Sequence, residues 1–237
     1  MRNYFTFGQY DSRDFGIYIS GSGIFDSPKR IYKTYTVPGR NGDLVGKSDR
    51  LENVKVTYPA FSYASFDTNI AALRSALLST DGYARLWDSY HTDEFRMGYY
   101  AGPLTVKARD QLDAGEYDLV FDCKPQRFLI TGETVQTFTS SSGTISNPTK
   151  FPSRPLFRVY GYGTLTIGSD VITIASTGNS YVDIDSEIMD CFYGTTNVNN
   201  KVTFQSNDFP VLNPGSTGIS RSGNITKVEI TPRWYIV

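Results

Sequence analysis

The sequence predicts a mainly β protein with a single helix, and three observations carry that expectation. Tyrosine (17) and phenylalanine (15) are abundant, 21 glycines supply turn positions, and only one segment has clear helical spacing. Aromatic and β-branched residues fit a pleated, half-buried surface, and glycine allows the reversals between strands. At 237 residues the chain is long enough for one large domain or two modest ones with proper cores.

The first residues, MRNYFTFGQYDSRDFGIYIS, contain no uninterrupted apolar stretch of the secretory kind, and no later run approaches membrane-spanning length. The expectation is a soluble protein made in the cytoplasm. From Ile31 to Val37, one face holds Ile31, Lys33, Tyr35 and Val37 and the other Tyr32, Thr34 and Thr36. This is a strand with neither face plainly apolar, suited to a position outside a core. ENVKVTYPAF, with Val54, Val56 and Tyr58 on one face, is expected as its return arm, and Pro38 to Arg50 as a long polar tip of a protruding hairpin.

The helix falls in SFDTNIAALRSALLSTDGYARLW, where Ile70, Leu73 and Leu77 recur at helical spacing. Asp67 or Thr68 is the expected N-cap and Gly82 the stop. The strands PLTVKAR and YDLVFDCKP flank DAGE and read as a hairpin. Cys123 shares a face with Tyr117, Leu119 and Phe121, so a reduced core thiol is expected rather than a disulfide to the distant Cys191.

Composition changes after Phe128. TGETVQTFTSSSGTISNPTKFPSRP is rich in Ser, Thr, Gly and Pro and reads as linker plus the first strand of a second domain. The expected domains are therefore residues 1–130, with the hairpin at about 31–58, and 131–237. The second holds short strands in PLFRVYGYGTLTIG, SDVITIA, SYVDIDSE, NKVTFQS and ITKVEITPRW, which together indicate a β-sandwich.

Chemistry-bearing constellations are sparse. Lysine plus arginine (23) nearly cancels aspartate plus glutamate (24), leaving no field to draw the chain to nucleic acid or an anionic membrane. His91 is the sole histidine, without a zinc-ligand set or a cue for a catalytic triad, and is expected to be a hydrogen-bonded or surface residue. Asp183 and Asp185 share one side of a strand and could be imagined as a calcium or glycosidase pair. The simpler reading is a solvated strand face. Gly161, Gly163 and Gly168 precede β-favouring residues rather than a helix, so they read as strand bends and not as a phosphate cradle. Trp87 and Trp234, the two tryptophans, read as packing residues. No catalytic, cofactor or metal site is expected.

The segment FGQYDSRDFGIYISGSGIFDSPKRIYKTYTVPGRNGDLV, with its SRDFGI opening, SPKR step into a strand and PGRNG hairpin, resembles the distal tail protein of long-tailed phages with non-contractile tails. So do IDSEIMDCFYG, FPVLNPGSTGIS and ITKVEITPRW near the other end, in the same order. The resemblance implies an N-terminal domain of β-sandwich character with one helix and an extended belt hairpin, followed by a galectin-like β-sandwich. It implies a non-enzymatic hexameric ring at the distal end of the tail tube in the virion. That ring would be a hub between the major tail-tube protein and the tail-associated tip or adsorption apparatus, with receptor-binding or peripheral baseplate proteins as further partners. Genome DNA would pass through its channel without specific binding, and no membrane is involved.

A closed ring beyond a dimer uses a heterologous interface, and a two-faced hairpin is a good donor to a neighbour's sheet edge. The candidate interface is Tyr32, Tyr35 and Val37 as anchors, Pro38, Gly39, Asn41 and Gly42 as the turn, and Arg40, Asp43 and Arg50 as charges that set pairing. The competing expectation is a carbohydrate-binding sandwich that recognises the host surface through an aromatic platform, with Trp234 as its test residue.

Overall fold

In the computed structural model the described residues are 2–21, 26–46, 50–63, 65–109 and 113–237. Residues 47–49 of the expected hairpin tip and 22–25 of the segment carrying the resemblance lie outside them. The chain forms two compact units, Met1–Arg127 with Val237, and Phe128–Ile236.

The first unit contains β1 (Phe5–Phe7), β2 (Tyr10–Asp11), β3 (Tyr18–Ile19), β4 (Lys33–Tyr35), β5 (Leu44–Gly46), β6 (Val54–Ser62), α1 (Phe66–Ser79), β7 (Ala84–Asp88), β8 (Glu94–Tyr100), β9 (Val106–Arg109) and most of β10 (Ala114–Leu129). Its main sheet runs β2-β1-β7-β8-β10-β6-β3, with β9 also alongside β10. Strand β6 shows why: Val54, Val56, Tyr58 and Ala60 are buried while Lys55, Thr57 and Pro59 are exposed, the alternation of a strand with one face on a core. Ile70, Leu73 and Leu77 of α1 pack into the same cluster as Phe5, Phe7, Val56, Leu119 and Phe121. One amphipathic helix thus closes one face of the sheet.

Two details depart from expectation. The N-cap is Ser65, two residues before Asp67, and the helix start is satisfied from elsewhere. The Asp113 carboxylate accepts from Ser65 N at 2.6 Å and Phe66 N at 2.9 Å. A carboxylate at a helix N-terminus satisfies orphan donors and suits the positive end of the dipole. At the other end Ser79 and Thr80 hydroxyls donate to Ala76 O, and Gly82 turns with φ +66°. The β9–β10 hairpin forms, but Ala114, Gly115 and Glu116 of DAGE already pair with Arg109, Ala108 and Lys107, so they are strand and not turn. Gly115 is required by packing, since a Cβ there would lie 2.1 Å from Phe66 Cε2.

Both cysteines are free and buried, and burial pushes each thiol up to about 12. Cys123 sits among core side chains as expected, with Tyr117, Leu119 and Phe121 buried beside it.

The second unit holds β11 (Gln136–Phe138), β12 (Ser142–Asn147), β13 (Leu156–Tyr160), β14 (Gly163–Ile167), β15 (Asp170–Ile174), β16 (Val182–Asp185), β17 (Asp190–Tyr193), β18 (Thr196–Asn197), β19 (Val202–Phe204), β20 (Gly215–Gly223), β21 (Lys227–Thr231) and β22 (Tyr235–Ile236). One sheet runs β11-β21-β13-β16-β17-β18 and the other β12-β20-β14-β15-β19. Phe157, Val159, Ile184 and Ile230 from the first meet Ile145, Leu165, Ile172 and Ile219 from the second in one buried cluster, which makes a β-sandwich.

The stretch read as linker plus a first strand lies wholly within this sandwich. It supplies a 3₁₀ turn (Ile130–Glu133) and both β11 and β12. Its polar residues are tied in rather than solvated: Asn147 Nδ2 donates to Phe151 O and Leu212 O, both at 2.9 Å, and Ile145 enters the core. Gly161, Gly163 and Gly168 lie at bends with φ of +100°, +144° and +59°. A Cβ on Gly161 would lie 2.1 Å from Asn224 O. The strand-bend reading holds. Among the described residues no helix is long and apolar enough to cross a membrane.

Candidate functional site

Between β3 and β6 the chain leaves the main sheet and forms a separate two-stranded hairpin. Lys33 pairs with Gly46, Thr34 with Val45 and Tyr35 with Leu44. Its base is closed by Ile31 N donating to Arg50 O at 3.1 Å and Glu52 N donating to Lys29 O at 2.9 Å. The expected return arm, ENVKVTYPAF at 52–61, is therefore corrected. Val54–Ser62 form β6 in the main sheet, paired with Cys123–Gly115 of β10, and the arm that returns is Leu44–Gly46. The cause is burial. Val54, Val56 and Tyr58 have a core to enter, whereas the 33–35 strand offers them none.

The turn follows from its residues. Pro38 pre-sets φ at the first central position, Gly39 takes φ +79° at the second, and Arg40 N donates to Val37 O at 3.2 Å, the geometry of a type II turn. Gly42 has φ +78°, and Thr36 Oγ1 donates to Asp43 Oδ1 at 3.0 Å across the tip. No atom stands within 4 Å of a Cβ built on Gly39 or Gly42, so both are demanded by backbone conformation alone.

The hairpin is exposed on both faces. Tyr32 is 54% exposed, Tyr35 56%, Leu44 40% and Val45 62%. Val37 is half-buried, and Pro38, Gly39, Arg40, Asn41, Gly42, Asp43 and Arg50 are exposed. The structure brings Val37 to Arg40 and Thr36 to Asp43 together at the tip and leaves Arg50 at the base, beside Ile31. Leu44 and Val45 are apolar surface residues that sequence reasoning missed. Their signal was symmetry about the turn, an apolar pair after NGD answering the YTV before it. Tyr32, Tyr35, Leu44 and Val45 are thus four large apolar side chains held open to solvent on and beside this two-stranded sheet.

The other candidates are structural. Asp183 and Asp185 are not solvated, since they are 3% and 6% exposed. Arg158 Nε and Nη2 donate to the two Asp183 oxygens at 2.8 and 2.9 Å, and Arg233 Nη1 and Nη2 to those of Asp185 at 2.6 and 2.8 Å. Burial alone would push Asp185 up, but the Arg233 guanidinium, with the Glu187 and Ile188 amides, outweighs it and holds the carboxyl below its ordinary range. Each carboxylate is filled by a bidentate arginine, a fork that leaves little for a metal or a sugar. His91 Nδ1 lies 3.1 Å from Asp88 Oδ1, and Tyr58 donates to the other Asp88 oxygen at 2.7 Å, an arrangement that ties β7 to the core. Among the described residues no three His, Cys, Asp or Glu side chains gather as a metal set. Trp234 is buried in the sandwich and presents no platform to a glycan, while Trp87 donates from Nε1 to Thr92 O at 3.3 Å with its ring 5.5 Å from Tyr4.

The architecture defines a class: a one-helix β unit carrying an exposed hairpin, followed by a β-sandwich. Neither a family model nor a curated protein sequence matches the chain. Among solved structures, the chain shares its fold with the SPP1 Dit protein, described as a paradigm of the hub adsorption apparatus in phages that infect Gram-positive bacteria. The TM-score is 0.73 over 100% of both chains at 12% identity. The phage P2 baseplate in its activated conformation with calcium is also similar, at TM-score 0.55, 11% identity and 97% and 98% coverage. Its strontium counterpart gives 0.53, 10%, 96% and 97%. The mainly β, distal-tail-protein fold expected from the sequence is the fold found.

Proposed function

We propose that this chain is a non-enzymatic structural protein of a phage tail. Six copies form a ring at the distal end of the tail tube, joining the tube to the tip or adsorption apparatus. One observation carries the reading: an exposed apolar hairpin on a fold shared end to end with a hub adsorption protein. On this reading the first units line the channel and the second, galectin-like units project outward. The major tail-tube protein, the tail-associated tip protein and peripheral baseplate proteins are the partners, in the virion. The near balance of 23 basic and 24 acidic residues suits a passage that does not hold DNA.

The test is native mass measurement of the full chain, with its neighbouring tail proteins added. The expected species has six times the chain mass of 26.5 kDa. Replacing Pro38–Asp43 by a two-residue Asn-Gly turn is expected to leave the fold intact and abolish closure. A chain that stays monomeric at all concentrations with its neighbours present overturns the proposal.

A further inference from the structure

Arg96 is a cation on the core side of β8. It shares a face with Gly98 and Tyr100, both buried, so strand alternation turns its side chain inward, and it is 8% exposed. The guanidinium lies near enough to Tyr58 and Cys123 for its charge to oppose the upward push that burial gives both groups. Among the described residues no hydrogen bond or ion pair ends on it. An arginine carries five N–H donors and cannot shed its proton, so burial without a partner is costly.

Beside Arg96 lies a cavity of about 10 Å³, room for about one water molecule. Tyr58, Asp88, Glu94 and Arg96 give it polar walls, and Val56 and Phe95 stand among the apolar ones. The two Asp88 oxygens are unequally occupied. Oδ1 accepts from Tyr90 N at 2.9 Å and His91 N at 3.0 Å and faces His91 Nδ1 at 3.1 Å, whereas among the described residues Oδ2 accepts only from the Tyr58 hydroxyl, at 2.7 Å, and keeps a lone pair. Glu94 Oε1 pairs with Arg127 Nη1 at 3.3 Å, which leaves Oε2 as a further acceptor. Two guanidiniums, Arg96 and Arg127, therefore stand against two carboxylates, Asp88 and Glu94, and His91 adds charge only when protonated. That balance favours neither an anion nor a metal cation. It suits a small neutral ligand that both accepts and donates.

We propose that this cavity is a binding site for one water molecule, which accepts a hydrogen bond from the Arg96 guanidinium and donates to Asp88 Oδ2 and the Glu94 carboxylate. Three bonds are the usual complement of a buried water. The bridge turns an unpaired core cation into a water-mediated ion pair and links Arg96 and Glu94 of β8 to Asp88 at the end of β7 and, through the Tyr58 hydroxyl, to β6. All of these residues belong to the first unit, and the site is independent of the ring reading.

The test is high-resolution diffraction from the full chain, with crystals grown in chloride and in bromide. One fully occupied solvent peak is expected at hydrogen-bond distance, about 2.7–3.2 Å, from both an Arg96 Nη and Asp88 Oδ2, with no anomalous signal in bromide. An anomalous peak there marks an anion site. An empty cavity, or a direct bond from Arg96 to Asp88 or Glu94, marks a site without water, and each of these results overturns the proposal. In Arg96→Met, which keeps an unbranched stem and removes every donor, the peak is expected to vanish, and in Arg96→Lys, which keeps an ammonium donor, to remain. A peak unchanged in Arg96→Met overturns Arg96 as its donor. If Arg96→Met does not fold, the wild-type maps in the two salts decide the proposal by themselves.

Discussion

Asp185→Asn separates a solvated carboxylate from a structural one. In the wild type the Asp185 side chain is 8% exposed and its Arg233 partner 28%. The two are joined by bonds of 2.6 and 2.8 Å, and Asp185 Oδ1 also accepts from Glu187 N at 2.9 Å. Asparagine keeps an oxygen for that amide but surrenders the charge-assisted fork. Breaking a buried pair from one side costs about 3–5 kcal/mol. The guanidinium is partly wet and recovers some hydration, which places the cost near the lower end, about 3 kcal/mol. For a unit of this size roughly 4 °C is lost per kcal/mol, so a fall of about 12 °C is expected in its melting temperature. The assay is thermal unfolding followed by Trp234 fluorescence in a Trp87→Phe background, because Trp234 is buried in the sandwich and follows Arg233 directly. A fall under about 3 °C, the worth of an exposed pair, refutes the reasoning.

Two further outcomes follow from the same geometry and from the first unit. Since Arg233 holds Asp185 below its ordinary range, the pair stabilises fully above the unfolded aspartate value of about 4 and that contribution is lost as pH falls through the lowered folded value. Melting temperatures from pH 7 to 2 are therefore expected to converge between wild type and Asp185→Asn at the acid end, and a gap that stays constant contradicts the assignment. Gly115→Ala places a methyl 2.1 Å from Phe66 Cε2, so overpacking is expected to destabilise the first unit by about 1–3 kcal/mol, read by denaturant unfolding. An unchanged midpoint would show that α1 does not sit tightly on β10.

Much of the fold was legible because the relevant signals are local. The alternation of Val54, Val56 and Tyr58 and the helical spacing of Ile70, Leu73 and Leu77 are properties of short windows, and a strand and a helix formed there, the strand in the main sheet and not in the hairpin. β20 was not legible. Its nine residues, GSTGISRSG, have one fully buried side chain, Ile219, and are strand only because β12 and β14 flank them. The same holds in part for β11 and β12, since the Ser/Thr-rich stretch predicts one strand beside a linker and two strands form. At the candidate site, Pro38-Gly39 and Asn41-Gly42 marked the tip, and the tyrosines and Val37 marked one arm. Leu44 and Val45 were overlooked because a better strand, β6, followed them.

By itself the sequence determined the β character, the one helix, the reduced cysteines and the turn chemistry of the hairpin, because residue type and spacing set local backbone preference and side-chain direction. Only the tertiary structure decided which strands pair and what lies between them. Leu44–Gly46, and not 54–62, returns the hairpin; Asp113 caps a helix from 47 residues away; Arg158 and Arg233 bury Asp183 and Asp185. Phe61 meets Glu116 only because β6 and β10 pair. Each of these is a meeting of residues distant along the chain, and a periodicity carries no information about its partner.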